Sequence, residues 1–274
     1  MKFSAFGLSD IGLARPNNED VWTSIPEIGF FALADGMGGH QAGEVAARET
    51  IELLANTMKK IEPSDPLTLV IALKGAIEKA NAWVYQLSQE EASLQGMGTT
   101  LCCLVWADNA IIYAHVGDSR LYRFRKQKLE LLTQDHSLMT KWLKAGKKSH
   151  GPYPYKHVIT RAIGTAPKAH PEIAIDRHEE GDLYVLCTDG LTDVLFLEEI
   201  EKILQTSPSL EEASQNLIQQ AKIKGSSDNM TILMVQSDGN GREDLLRQQC
   251  DDATGPEGAP GDALRVKWTA GESF

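Results

Sequence analysis

Thr99–Trp106, TTLCCLVW, and Ala110–Val116, AIIYAHV, are the two runs that decide the fold class. Both are apolar and β-prone, and only a short polar break at Asp108 and Asn109 separates them, a spacing that predicts an antiparallel hairpin. Leu121–Phe124 adds a strand after the GDSR break. GFFALA at 29–34, LYVLC at 183–187 and MTILMV at 230–235 read as further buried strands, and the GMGG after Asp35 reads as a tight loop. Apolar residues at helical spacing mark Glu44–Lys60, Leu67–Leu87, Leu197–Gln205 and Leu210–Ile223. Strands joined by tight turns, with helices arriving in pairs, favour antiparallel sheets covered by helices over a doubly wound parallel sheet.

A chain of 274 residues, 42% hydrophobic, can bury one substantial core. Its formal net charge of −11 argues against a nucleic-acid partner, because such surfaces need clustered Lys and Arg. It leaves room for phosphate chemistry, since carboxylates holding divalent cations make a locally positive site. Among the 4 cysteines, Cys102 and Cys103 are adjacent on a strand and point to opposite faces, no CxxC spacing occurs, and reduced thiols are expected. The N-terminal MKFSAFGLSDIG lacks a signal-peptide apolar stretch, and no window approaches the ~20 apolar residues of a membrane span. A cytoplasmic, soluble protein with no membrane partner is expected. Residues 1–237 read as one domain. Beyond it, 238–274 turns to Gly, Pro, Asp, Glu and Arg and reads as a flexible tail, with a short helix at Asp244–Cys250 and docking of Leu264–Trp268 as the only local structure suggested.

The aspartates fall at strand edges: FFALAD ending at Asp35, YAHVGD at Asp118, LYVLCTD at Asp189, and Asp228 just before MTILMV, with Glu19–Asp20 after an Asn pair. One Asp-Gly after a strand is usually a turn. Several in one chain point to a shared site, because strand ends on one side of a sheet lie side by side. Clustered carboxylates repel unless cations neutralise them, and an oxygen-only ligand set selects hard ions, Mg²⁺ or Mn²⁺. Two such ions can polarise a phosphoryl group and activate water near neutral pH.

Eight segments in order, RPNNED (15–20), ALADGMGGHQAGE (32–44), GMGTTL (96–101), VGDSRLY (116–122), LTQDHSL (132–138), ITRAIG (159–164), CTDGLTD (187–193) and GSSDNMTILMV (225–235), resemble the type 2C, metal-dependent protein phosphatase (PPM) family in its bacterial form. The resemblance implies an α/β, four-layer α-β-β-α sandwich with two mainly antiparallel sheets, and a serine/threonine phosphatase acting through metal-activated water. Asp35 would bridge two Mn²⁺ or Mg²⁺ ions, with Asp189 and Asp228 completing one site and Glu19 and the Gly36 carbonyl serving the other. Asp20 would orient water. Asp118, Asp189 and Asp193 match the family's weaker third-metal site. Arg15 would clamp the phosphate, a task suited to a guanidinium fork. His40 falls where members carry a general-acid histidine, although Met37, Gly38 and Gly39 separate it from the DG pair. Asn229 would support the metal shell. Phosphoprotein substrates are implied, as is a bacterial serine/threonine kinase to oppose, and a monomer is expected.

The segment at about 138–160, MTKWLKAGKKSHGPYPYKHV at its centre, matches the family's variable flap, and Lys141, Lys144, Lys147, Lys148 and Lys156 make it basic. Such a flap would attract acidic or phosphorylated substrate segments; a plain solvated loop is the other reading. His115, His136, His150, His157, His170 and His178 are read as structural or surface residues. No GxGxxG or Walker-type GK[ST] occurs, which leaves kinase and dinucleotide readings unsupported. A catalytically silent binding module is the alternative function, and loss of ligands would be its mark; every expected ligand is present.

Overall fold

The computed structural model describes residues 3–38, 42–62, 65–107, 110–146, 155, 157–237 and the backbone of 266–268. Among these residues two antiparallel sheets lie face to face. The first is ordered β1 (Phe3–Asp10), β11 (Met230–Ser237), β10 (Leu183–Cys187), β7 (Arg120–Arg125) and β8 (Lys128–Leu131). The second runs β12 (Val266–Trp268), β9 (Glu172–Arg177), β6 (Ala110–Val116), β5 (Leu101–Ala107), β3 (Phe30–Met37) and β2 (Asp20–Ile25), with the short β4 (Gly98–Thr99) on β3. The hairpin read from sequence is β5–β6, with Leu101 opposite Val116 and Trp106 opposite Ile111.

Period-2 alternation sorts each strand's residues into different layers. In the second sheet Phe30, Ala32, Cys103, Val105 and Ile112 pack under helices α1 (Ala42–Met58) and α2 (Pro66–Glu90). Their neighbours Phe31, Leu33, Cys102, Leu104 and Ile111 face the other sheet and meet Leu121, Tyr184, Leu186 and Leu233. The opposite face of the first sheet, Tyr122, Val185, Cys187 and Ile232, is covered by the short α4 (Asp189–Thr192), α5 (Leu197–Thr206) and α6 (Leu210–Ile223). The result is the four-layer sandwich, and the adjacent Cys102 and Cys103 do lie in separate cores.

Local chemistry sets the helix starts. Asp65 caps α2 by accepting from the amides of Leu67 and Thr68, with Pro66 in the first turn, and Ser209 caps α6 through the Glu212 amide. Two expectations are corrected. The strand expected to end before the GMGG loop continues through Gly36 to Met37, because Gly36 and Met37 pair with Thr99 and Gly98 and the Gly36 amide donates to the Glu19 carbonyl at 3.1 Å. Within the flap, Leu138–Lys144 forms helix α3, its first turn closed by the Ser137 hydroxyl, which accepts from the Thr140 amide at 3.1 Å. The helix suggested at Asp244–Cys250 lies outside the described residues. Val266–Trp268 pairs antiparallel with Ile173–Ile175 of β9.

Candidate active site

Antiparallel pairing places the acid-bearing strand ends at one end of the sandwich. Asp35 lies near the end of β3, and Asp20, the first residue of β2, is directly opposite it in the ladder. Asp118 occupies the turn between β6 and β7, Asp189 opens α4 after β10, and Asp228 shortly precedes β11. The sheets thus contribute from both sides of their interface. Arg15, Glu19, Asp35, Gly36, Asp118, Asp189, Asp193 and Asp228 all line one open cleft of about 610 Å³. Asp20 sits behind this wall, 8% exposed; its Oδ2 accepts from Thr188 Oγ1 at 3.0 Å while its buried Oδ1 has no partner. His40 lies outside the described residues.

Backbone fit fixes this geometry. A Cβ on Gly36 would meet the Gly43 carbonyl at 2.2 Å, and one on Gly43 would strike Glu19 Oε2 at 2.3 Å, so the start of α1 rests against the two acidic strand ends only because both residues are glycine. Asn229 ties the ends together across the sequence. Its Oδ1 accepts from the Glu19 amide at 2.9 Å, and its Nδ2 donates to the carbonyls of Ile11 and Asn17 at 2.9 and 3.0 Å. Threonines do the same on the other side: the Asp35 amide donates to Thr100 Oγ1, and the Thr99 hydroxyl donates to the Asp35 carbonyl.

The electrostatics are those of crowded acids with few cations. Burial, reinforced by Asp20, Asp189, Asp118 and Asp228, holds the Asp35 carboxyl well above the usual range, and it shares a hydrogen bond with Asp189. Burial first and neighbouring carboxylates second push Asp20 and Asp118 to about 7 and Asp189 to about 6, and burial raises Glu19. Against them stands Arg15, whose Nη2 lies 2.8 Å from Asp228 Oδ2; the His157 ring is also close, its Nδ1 2.9 Å from Asp193 Oδ2. A donor set made mainly of carboxylates, with His157 grouped beside Asp189 and Asp193, and an orphaned buried carboxylate oxygen behind it fit hard divalent ions.

Sequence reasoning missed His157, which returns from the flap to the cleft; its lone position in the chain gave no signal. A second cluster, His115, His136 and Glu172, brings ligand-type atoms together behind Asp118. The two imidazoles stack at 4.5 Å and 17°, so their in-plane lone pairs run nearly parallel and do not converge on one ion. His136 instead supports the fold: its Nδ1 accepts from the Gly117 amide at 3.1 Å, beside Asp118.

A family model for protein phosphatase 2C matches residues 17–240. The chain is 34% identical over 239 residues to the serine/threonine phosphatase stp of Listeria monocytogenes, covering 84% of this chain and 94% of that protein. Among solved structures it is similar to the Mycobacterium tuberculosis serine/threonine phosphatase PstP/Ppp, with TM-score 0.81, 33% identity, and coverage of 87% of this chain and 100% of that one. It is also similar to the catalytic domain of PstP in complex with two manganese ions, with TM-score 0.77, 34% identity, and coverage of 85% and 97%. The matched span begins just after Arg15 and runs through every acid of the cleft, on a backbone that follows those of its solved relatives. The chain belongs to the protein phosphatase 2C family.

Proposed function

We propose that the cleft binds two Mn²⁺ or Mg²⁺ ions and that Arg15 receives the phosphoryl group of a phosphoserine or phosphothreonine side chain presented to them. The chain is a metal-dependent protein serine/threonine phosphatase, and phosphoproteins are its substrates. The observation that carries the residue assignment is the convergence of Glu19, Asp35, Asp189 and Asp228 from distant sequence positions onto one cleft.

Asp35 would bridge the ions, Asp189 and Asp228 would complete one site, and Glu19 with the Gly36 carbonyl would serve the other. Asp118, Asp189 and Asp193 would hold a third. When bound, such ions supply Lewis-acid polarisation of phosphoryl oxygens and lower the pKa of water. The protein's own groups do the positioning. Arg15, half exposed on the rim, offers a planar fork to phosphate oxygens. The unpartnered Oδ1 of Asp20 can accept a proton-bearing group behind the ligands, and Thr188 fixes that carboxylate's orientation. His40 is assigned as the general acid on its motif alone.

Residues 1–237 would form the catalytic domain and 238–274 an appended tail. Among the described residues no helix is long and apolar enough to cross a membrane. A cytoplasmic monomer opposing a serine/threonine kinase is the setting that best suits this enzyme. The basic flap, of which Lys141 and Lys144 are exposed on α3, would draw acidic substrate segments toward the cleft. The decisive assay measures phosphate release from a phosphothreonine peptide with Mn²⁺, with chelator, and in Asp189→Asn. Loss of release under the last two conditions is expected; persistent release in chelator would overturn the metal assignment.

A further inference from the structure

Beneath α3 a second cavity, about 450 Å³, opens off the first, and Asp118, His157, Asp189 and Asp193 line both. Its lining is mostly polar, and Leu131, Leu132, Met139 and Leu143 form its aliphatic part. Helix α3 reads LMTKWLK, mostly apolar, yet none of its residues is buried, and Leu143 is 55% exposed. The helix is nonetheless held in place. Its start is capped by Ser137, and the Leu138 amide donates to the Val158 carbonyl at 2.9 Å, which joins the two ends of the flap. Leu138, Met139 and Trp142 are partly covered and Leu143 is exposed, so the anchored helix lends Met139 and Leu143 to the wall of the cavity rather than to the core.

Charge narrows what would enter. Among the described residues the basic side chains in this lining are Arg120 and His157. Arg120 is engaged by Asp135 through two contacts of 2.9 and 2.7 Å, and His157 is paired with Asp193. An acidic side chain would therefore meet carboxylates and basic groups already engaged, and the exposed Lys141 and Lys144 do not line the cavity. An aliphatic side chain would meet Leu131, Met139 and Leu143. The shared wall fixes the source of that side chain, because a chain whose phosphate lies in the first cavity passes the mouth of the second within a few residues, at roughly 3.3 Å per extended residue.

Resting on the phosphatase reading above, we propose that the cavity beneath α3 is a substrate subsite that takes an aliphatic side chain lying within about three residues of the phosphorylated serine or threonine. Its occupant is a segment of the same phosphoprotein. Met139 and Leu143 are thus specificity-determining residues, and they act on the choice of substrate rather than on the chemistry.

The test is a set of phosphothreonine peptides in a Gly/Ser background with one Leu walked from three residues before to three residues after the phosphothreonine, assayed with Mn²⁺. The expected result is kcat/KM raised about tenfold at one or two positions on one side, the scale of discrimination that a hydrophobic pocket gives. In Leu143→Gln and Met139→Gln that ratio is expected to fall toward one. Hydrolysis of 4-nitrophenyl phosphate by each variant reports whether the catalytic cleft is intact. No preferred position in the wild-type chain, or a preference that survives in both variants, would overturn the subsite. Failure of the wild-type chain to release phosphate from every peptide would defeat the phosphatase reading instead, so the two ideas fail separately.

Discussion

Two groups of carboxylates in this molecule, one buried and one gathered at and behind the cleft wall, are treated in opposite ways. Asp176 and Asp182, each 1% exposed, are met by guanidiniums: Arg123 Nη1 lies 2.8 Å from Asp176, and Arg125 Nε lies 2.6 Å from Asp182, with a second Arg125 contact beside it. Asp20, Asp35, Asp118 and Asp189 have mostly each other, and burial and mutual repulsion push their carboxyls up. The first group is scaffold, joining β7 to β9 and to the approach to β10. The second belongs to the proposed ion site. Buried acids that fold a protein bring their counter-charge with them, whereas those that bind ions leave it to be supplied.

That contrast can be broken most forcefully at Asp35. In Asp35→Asn, phosphopeptide kcat/KM is expected to fall about a thousandfold, since the cations' polarisation is worth several kcal/mol. The melting temperature of the cation-free variant should hold or rise, because a repelling charge is gone. A large loss of stability would place Asp35 with the scaffold instead. Asp182→Asn should do the reverse, destabilising by about 3 kcal/mol because Arg125 is left without its buried partner, as denaturant unfolding would read. Its activity per folded molecule should be near wild type, and a selective loss of turnover would erase the distinction.

Arg15→Lys is expected to raise KM for a phosphopeptide about tenfold while changing stability by less than about 1 kcal/mol, because the pair with Asp228 is exposed at 52% and 38%. An unchanged KM would remove Arg15 from the site. The smallest effect sought is in pH. Asp118 and Asp20 titrate near 7 and Asp189 near 6, above their unfolded values, so in cation-free protein they cost stability as pH rises from about 4 through those values. On the proposed assignment, protons and divalent ions would compete for Asp118 and Asp189. The rise in melting temperature on adding Mn²⁺ should accordingly be several degrees greater at pH 7.5 than at pH 5. The difference between the two conditions cancels His115, whose burial lowers it to about 4 and acts in the opposite direction. An equal rise at both pH values would sink the competition.

Much of this was legible in the chain. The hairpin at 99–116 points to antiparallel pairing, and the acids at the ends of apolar runs mark one end of the sandwich. Strands β6 and β10 and helix α6 fall where the pattern put them, because each is long or strongly apolar. Strands β1, β2 and β9 escaped because their half-buried, polar-rich sequences, such as FSAFGLSD, carry weak alternation and owe their conformation to pairing with β11, β3 and β6. The extension of β3 through Gly36 was illegible for the same reason, since local glycine preference lost to β4 and the Glu19 carbonyl. His157 and the cavity beneath α3 depend on how the flap folds back, which spacing does not encode.

The cleft draws its acids from both leaves of the sandwich: Asp35 from one, Asp189 and Asp228 from the ends of the other, and Asp118 from the turn that joins them. An ion held by Asp35 and Asp189 together, as proposed, would rivet the two leaves as well as serve the chemistry.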